Sequence, residues 1–282
     1  MLCGNRYETA MIESIGKKTI FSFLKRPKFL EPSFLIIGCQ KCGTTSLYNY
    51  LIQHPNVAAA KKKEIHFFDF HYGHGYEWYK KHFPAPNGSK DNKRLITGEA
   101  TPYYVFHPHV PSRAKESLPN IKLILLLRDP VERAFSHYKY HVKLNIEPLS
   151  FEEAVKTETE RTAGEWEKML RDGRYQSYNL QMYSYLARGV YFSQLERWFA
   201  HFPREQILLL KSEELFNNPE RVFSDAVHFL DLPDHRLESY KKFNPSKIDS
   251  IPISTQQYLR NYFRPHNYRL YELIGRDLAW PA

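Results

Sequence analysis

Short apolar runs alternate with amphipathic stretches along most of this chain. Residues 33–38 (SFLIIG) form a continuous apolar run of the length expected for a strand covered on both faces. From about Thr44 to His54 the spacing turns helical and stops before Pro55, which predicts a first helix. Further strands are predicted at 94–100 (RLITGEA), at 121–129 (IKLILLLRD), the strongest of the set, and at 205–211 (EQILLLK). NVAAA (56–60) and IHFFDF (65–70) read as short extended pieces around a basic loop. Helices are predicted at 110–118, 130–143, 150–170, 178–187, 191–201 and 219–230. The stretch 254–278 reads as one or two helices interrupted at Pro265, because proline removes a helical hydrogen bond. The stripe Tyr191, Leu195, Trp198 and Phe199 has helical spacing and is assigned to the core.

Strands alternating with helices predict an α/β fold: one domain, residues 33–282, with a central parallel sheet flanked by helices. Residues 1–32 form an irregular leader ending at Pro32. Composition agrees with a globular chain: 42% of the 282 residues are apolar, with 20 Tyr, 19 Phe and 4 Trp to build a core. No internal repeat or low-complexity tract is found. The net charge of +9 favours an anionic partner without selecting one. Three cysteines do not make a disulfide framework. With scattered charges in the leader and no apolar stretch of membrane-spanning length, the chain is expected to be cytoplasmic.

Chemistry concentrates first in FLIIGCQKCGTTSLYNYL, residues 34–51. Gly38 and Gly43 keep the spacing of a nucleotide phosphate loop, but its lysine belongs directly after the second glycine. Here that position is Thr44, and the lysine is Lys41, inside the loop. Unpaired N–H groups of residues 42–46 at a helix start make an anion site. Thr44, Thr45 and Ser46 add hydroxyls and Lys41 a charge. A plain helix cap by Thr44 or Thr45 is the simpler alternative, but it leaves the lysine and both glycines without a role. Cys39 and Cys42 form a C-x-x-C between strand and helix, which also suits a redox site. That reading ranks second because it does not use the glycines or the Thr-Thr-Ser run.

A second segment, LLLRDPVERAFSHYKYH, ends a buried strand in Arg128 and starts a helix at Pro130 with Asp129 as N-cap. Arg128 points into the crevice at the strand ends and can grip a phosphate by two prongs, unless it only pairs with Asp129 or Glu132. Ser136, two turns further, returns to the same side. The two segments together describe a nucleotide held at both of its phosphate ends.

KCGTTSL and RDPVERAFSHY resemble the 5′-phosphosulfate loop and the 3′-phosphate motif of sulfotransferases that use 3′-phosphoadenosine 5′-phosphosulfate (PAPS). HPNVAAAKKKEIHFFD, GEATPYYVF, RGVYFSQLERWFAHFPREQILLLKSEEL and YFRPHNYRLYELIGRDLAW are similar to the heparan sulfate and related carbohydrate enzymes, 3-O-type and bacterial forms included. The resemblance runs from about residue 33 to 280. It implies a P-loop-like sulfotransferase architecture that moves a sulfuryl group from PAPS to a hydroxyl acceptor, a glycan or a hydroxylated, polyketide-type metabolite, and releases the nucleotide PAP. It further implies donor binding by Lys41, Cys42, Gly43, Thr44, Thr45 and Ser46, with Arg128 and Ser136 on the 3′-phosphate. Lys41 would stabilise the leaving group. No metal and no nucleic acid are expected.

Glu64, His66 and Asp69 lie within KKKEIHFFDF, and on an extended segment Glu64 and His66 face one side. The resemblance makes Glu64 the general base, with His66 its alternative or orienting partner and Asp69 a support. Asp69, Glu99 and Tyr103 are candidate acceptor contacts. Glu99, facing the crevice at a strand end, could instead touch Lys41 or cap the following turn, and His66 and Asp69 could instead be structural polar groups near a sheet edge. Tyr104 and Phe106 are further lining candidates. Two departures from the heparan enzymes stand out. Ala100 occupies a position where lysine commonly follows the glutamate, and the Lys-Gly cofactor loop is not recognisable in FNPSKIDSIP (243–252), where Lys247 is the candidate contact. Two rival functions are a kinase, disfavoured by the missing lysine after Gly43, and a basic polyanion-binding module.

Overall fold

The computed structural model describes residues 28–86, 95–241, 243 and 251–281. Most of the expected leader, Arg94 and Lys247 lie outside the described residues. The centre of the molecule is a five-stranded parallel sheet: β1 (Pro32–Gly38), β2 (Val57–Ala59), β3 (Ile96–Ala100), β4 (Lys122–Leu127) and β5 (Ile207–Lys211), in the order β2-β3-β1-β4-β5. The central runs of β1 and β4 are apolar because both of their faces are covered: Phe34 to Ile37 and Leu123 to Leu126 are fully buried. The predicted α/β class and parallel sheet are thus observed.

α1 (Thr44–Leu51), α2 (Tyr76–Lys80), α3 (Val110–Ser117) and α4 (Pro130–Lys143) connect the first four strands or follow them. The sheet is built outward from β1 in both directions, with β3 on one side and β4 on the other. That reversal opens a crevice at the strand C-termini, where open α/β sheets bind ligands. The β1–α1 and β4–α4 loops meet there.

The middle of the chain differs from expectation. Residues 150–170 form three short helices, α5 (Phe151–Lys156), α6 (Glu158–Arg161) and α7 (Glu165–Arg171). Gly164, at φ 72°, takes the left-handed turn that separates the last two. α8 (Tyr178–Tyr183) ends before the predicted 187, and α9 (Tyr191–Phe199) presents Tyr191, Leu195 and Trp198 to the core as predicted. α10 (Ser212–Asn217) and α11 (Pro219–Phe229) follow β5.

α12 (Ile253–Ile274) runs unbroken through Pro265. A proline inside a helix costs about 3 kcal/mol. Burial of Leu259 and Phe263 before it and Leu270 after it keeps both halves against the body of the protein. IHFFDF is not a strand: Glu64 and His66 take left-handed φ values of 61° and 56°, and the chain coils so that Ile65, Phe67 and Phe68 enter the core.

Candidate active site

β1 ends at Gly38, where a Cβ would come within 2.5 Å of Val105 Cγ1, so only glycine lets the β3 loop pass this close. The chain then turns over Cys39–Cys42, closed by the Cys42 N–H donating to the Cys39 carbonyl at 3.2 Å, with Lys41 at φ 70°. Gly43, at φ 92°, stands at the N-cap of α1 without any side-chain cap, and the first turn holds no acidic residue. A Cβ there would be strained and would meet Leu215 at 2.8 Å. The first N–H groups of α1 are therefore left for a ligand, and the helix dipole makes that ligand an anion.

Lys41, Gly43, Thr44 and Thr45 line a cavity of about 590 Å³. Two members of the expected donor set do not line it. Cys42 is fully buried, its N–H closes the turn and its thiol approaches the Gln40 carbonyl at 3.7 Å. Ser46 is buried too, and its hydroxyl accepts from the Phe243 N–H at 3.2 Å. Both support the loop from below.

Arg128 and Ser136 reach the same cavity from β4 and α4. The backbone under Arg128 is fixed on two sides. Tyr191 donates to the Arg128 carbonyl at 2.9 Å, and Asp129 caps α4 through Val131 N–H and Glu132 N–H at 2.9 and 3.2 Å. Asp129 is itself held by Arg260 at 2.5 Å. Among the described residues, the guanidinium of Arg128 makes long contacts of 3.4 Å, to the Lys41 carbonyl and to Glu132. Lys41 has its ammonium 4.3 Å over the Tyr140 ring, and burial followed by the Arg128 charge lowers its pKa. Lys41 and Arg128 place two cations close together, with only a long contact from Glu132 to Arg128 to offset them, which favours an anionic ligand.

Glu64 and His66 line the same cavity. His66 Nδ1 lies 2.7 Å from Asp69 Oδ2 and Nε2 lies 3.6 Å from Glu64 Oε2, so the imidazole bridges two carboxylates. Lys63 pairs with the other Glu64 oxygen at 2.6 Å. Burial would lower the His66 pKa, but the Asp69 and Glu64 contacts overcome it and raise it to about 9. Burial would raise Glu64; the contacts with His66 and Lys63 overcome it and hold the carboxyl near about 2. At neutral pH His66 is therefore a cation and Glu64 a carboxylate. Asp69 is not a cavity contact: its side chain is wholly covered and is spent on His66 and the Phe70 N–H.

These shifts predict a pH window. Stability from the raised His66 is complete below its ordinary value of 6.5 and is lost as pH rises through about 9. Stability from the lowered Glu64 is complete above 4.5 and is lost as pH falls through about 2. Asp69→Asn is expected to lower the His66 pKa by about one unit or more, read from imidazole NMR signals. An unchanged titration would contradict the bridging arrangement.

Glu99 corrects a second expectation. It does not face the crevice but is fully buried beneath the Glu64 loop. It accepts from Thr101 at 2.6 Å, Tyr104 at 2.9 Å, Tyr79 at 3.0 Å and the Ile65 N–H at 3.2 Å. Burial raises its pKa while the hydroxyl donors partly oppose that. Four donors from three segments meet on one carboxylate, so it anchors the loop that carries Glu64. Glu99→Ala should cost about 3 kcal/mol or more through stranded donors. That corresponds to a fall in Tm of roughly 6–12 °C in a thermal melt. Glu99→Gln should lose less, and an unchanged melt for Glu99→Ala would contradict the anchoring role.

Tyr103 lines the cavity as expected, whereas Tyr104 is buried at Glu99 and Phe106 packs on Trp166. Arg188 was not legible as a site residue. It is buried, lines the cavity, and bonds Gln40, Ser184 and the carbonyls of Leu180 and Gln181, with its guanidinium 4.6 Å from the Tyr103 ring. A single arginine before a core helix carries no sequence signal of such burial. Tyr140, His141, Leu144 and Ile146 complete the wall from the end of α4 and the turn beyond it. Among the described residues, no cluster of three metal-ligating side chains occurs.

Known proteins are similar to this chain over most of its length. The family model described as the sulfotransferase domain matches residues 31–266. A membrane-associated sulfotransferase of Dictyostelium discoideum, kil1, is 33% identical over 88% of this chain and 66% of its own length. Human heparan sulfate glucosamine 3-O-sulfotransferase 5 is 29% identical over 89% of this chain and 74% of its own. A crystal structure of a sulfotransferase from Alicyclobacillus acidocaldarius superposes with a TM-score of 0.68 at 32% identity, covering 88% of this chain and 98% of that one. The expectation of a cytoplasmic protein is overturned by the first of these relatives, which is itself membrane-associated. No helix among the described residues is long and apolar enough to cross a membrane, and that alone does not assign a compartment. The chain belongs to the sulfotransferase domain family, and it is an enzyme that transfers sulfuryl groups.

Proposed function

We propose that the cavity binds PAPS and transfers its sulfuryl group to the hydroxyl of a glycan or a hydroxylated, polyketide-type metabolite, releasing PAP. One observation carries this reading: the Lys41 loop, Arg128 with Ser136, and Glu64 with His66 line a single cavity although they come from three separate segments. The uncapped start of α1 fits a 5′-phosphate, and Arg128 with Ser136 fits a 3′-phosphate.

Bound PAPS supplies a sulfuryl group activated by its link to the 5′-phosphate. Lys41 offsets the negative charge that grows on the leaving phosphate, its own charge already stressed by burial and by Arg128. Glu64 takes the proton of the acceptor hydroxyl, which becomes more acidic as its oxygen bonds to sulfur. His66, held by Asp69, keeps the carboxylate ionised and aimed. Lys63 is the partner that an incoming hydroxyl displaces, because it occupies one Glu64 oxygen. Glu132 similarly yields Arg128 to a phosphate, since their contact is long and half-exposed.

The direct assay is transfer of labelled sulfuryl from PAPS to a panel of hydroxylated glycans and metabolites. Labelled product with equimolar PAP is expected. ATP turnover with magnesium, and none with PAPS, would contradict the assignment.

A further inference from the structure

The C-x-x-C of the phosphate loop has no part in this chemistry, yet its spacing across one tight turn is that of an oxidisable pair. We infer that Cys39 and Cys42 form a reversible disulfide that weakens donor binding, a modification site built into the loop that holds the donor. The inference rests on the donor-site reading for its effect, but the disulfide itself can be read independently.

Both thiols are free and buried, at 2% and 0% exposure, and they turn inward together from opposite ends of one tight turn. The hydrogen bond from the Cys42 N–H to the Cys39 carbonyl, at 3.2 Å, makes this a four-residue turn. Such turns keep the first and last Cα atoms within about 7 Å, close to the range that disulfides span. Beyond the effect of burial, each thiol influences the ionisation of the other, raising the pKa of Cys39 and lowering that of Cys42. Behind them sits Arg133, fully buried, with Nε and Nη1 left without hydrogen-bond partners. Burial disfavours a thiolate at both sulfurs. At Cys42 the neighbouring Cys39 thiol and the charges of Arg133 and Arg128 outweigh it and lower the pKa, which marks Cys42 as the attacking sulfur. Cys39 is shifted up, chiefly by burial, and waits as the protonated partner.

The oxidant class is a peroxide. The Cys42 thiolate attacks one peroxide oxygen, the O–O bond breaks, and the other oxygen leaves as hydroxide and is protonated to water. The Cys39 thiol then attacks the resulting sulfenic sulfur, the S–O bond breaks, and the departing hydroxyl takes the thiol's proton and leaves as a second water. Two thiols are oxidised, one peroxide is reduced, and one S–S bond forms.

The consequence follows from what the turn carries. Its two central residues, Gln40 and Lys41, both line the cavity, and Lys41 is held at φ 70° with its carbonyl on Arg128. Tying the ends covalently removes the Cys42 thiol contact to the Gln40 carbonyl. It also repositions the residues that precede the α1 N-terminus. Donor binding covers the loop from the cavity side, so bound nucleotide should slow the oxidation.

The test is stoichiometric hydrogen peroxide on the folded full chain, followed by peptide mass spectrometry and PAP calorimetry. A Cys39–Cys42 link two hydrogens lighter is expected, with PAP affinity at least about tenfold lower, restored by dithiothreitol. Excess PAP during treatment should slow the link. Cys42→Ser, which lacks the attacking sulfur, should bind PAP alike before and after peroxide, and Cys3→Ser should behave as wild type. Thiols that stay reduced, or a linked protein that binds PAP unchanged, would overturn the inference. A reduced wild type that does not bind PAP would instead overturn the donor-site reading, while the mass readout still decides the disulfide.

Discussion

Glu64→Gln is expected to lower sulfuryl transfer by roughly 10²–10⁴-fold, the usual contribution of a positioned base. PAP binding should stay within about twofold of wild type. The geometry separates the two effects. Glu64 lines the cavity, with contacts to Lys63 and His66 and none to Lys41 or Arg128. His66 cannot replace it, because an imidazole raised to about 9 between two carboxylates carries its proton at neutral pH. The amide keeps the shape and can still accept a hydrogen bond from the acceptor, but it cannot take the proton. Turnover that survives the substitution would remove Glu64 from the base role. Loss of PAP affinity would mean that the loop, rather than the carboxylate, had been disturbed.

Lys41→Ala is expected to act on both quantities. Loss of a charge-assisted contact should weaken PAP by about 10–100-fold. Turnover should fall by a further factor of about 10²–10³, in line with removal of one leaving-group stabiliser. The substitution also relieves the repulsion between Lys41 and Arg128, so the folded protein should not lose stability through this pair. Binding by calorimetry and single-turnover transfer separate the two components. An equal loss in both would make Lys41 a binding residue with no added part in the transition state.

How far the sequence could lead depended on whether a feature was local. The strand–loop–helix at 34–51 and the Arg128–Ser136 spacing were legible because each is set by short-range pattern: an apolar run, a glycine at a left-handed cap, a proline at a helix start. Glu64 and His66 do come together, but through left-handed turns rather than the alternation of a strand. The Glu99 anchor was misread because a strand-end carboxylate points to the crevice unless a tertiary partner covers it. Here Tyr79, Tyr104 and the Glu64 loop do so. Arg188 escaped notice for a similar reason: Ser184, Leu180 and Gln181 hold it locally, but Gln40, its partner in the loop after β1, lies far away along the chain. Pro265 was read as a breaker since its local cost is visible in sequence, whereas the core contacts that offset it are not.

The central claim is that one cavity is built to hold both phosphates of an adenosine bisphosphate, and its most direct test needs no acceptor. Calorimetric titration of PAP against adenosine 5′-phosphate, which lacks only the 3′-phosphate, isolates the role of Arg128 and Ser136. The account predicts PAP to bind at least about tenfold tighter, as one or two charge-assisted hydrogen bonds would provide. In Arg128→Ala that advantage should largely disappear. Equal affinity of the wild type for the two nucleotides would contradict the account.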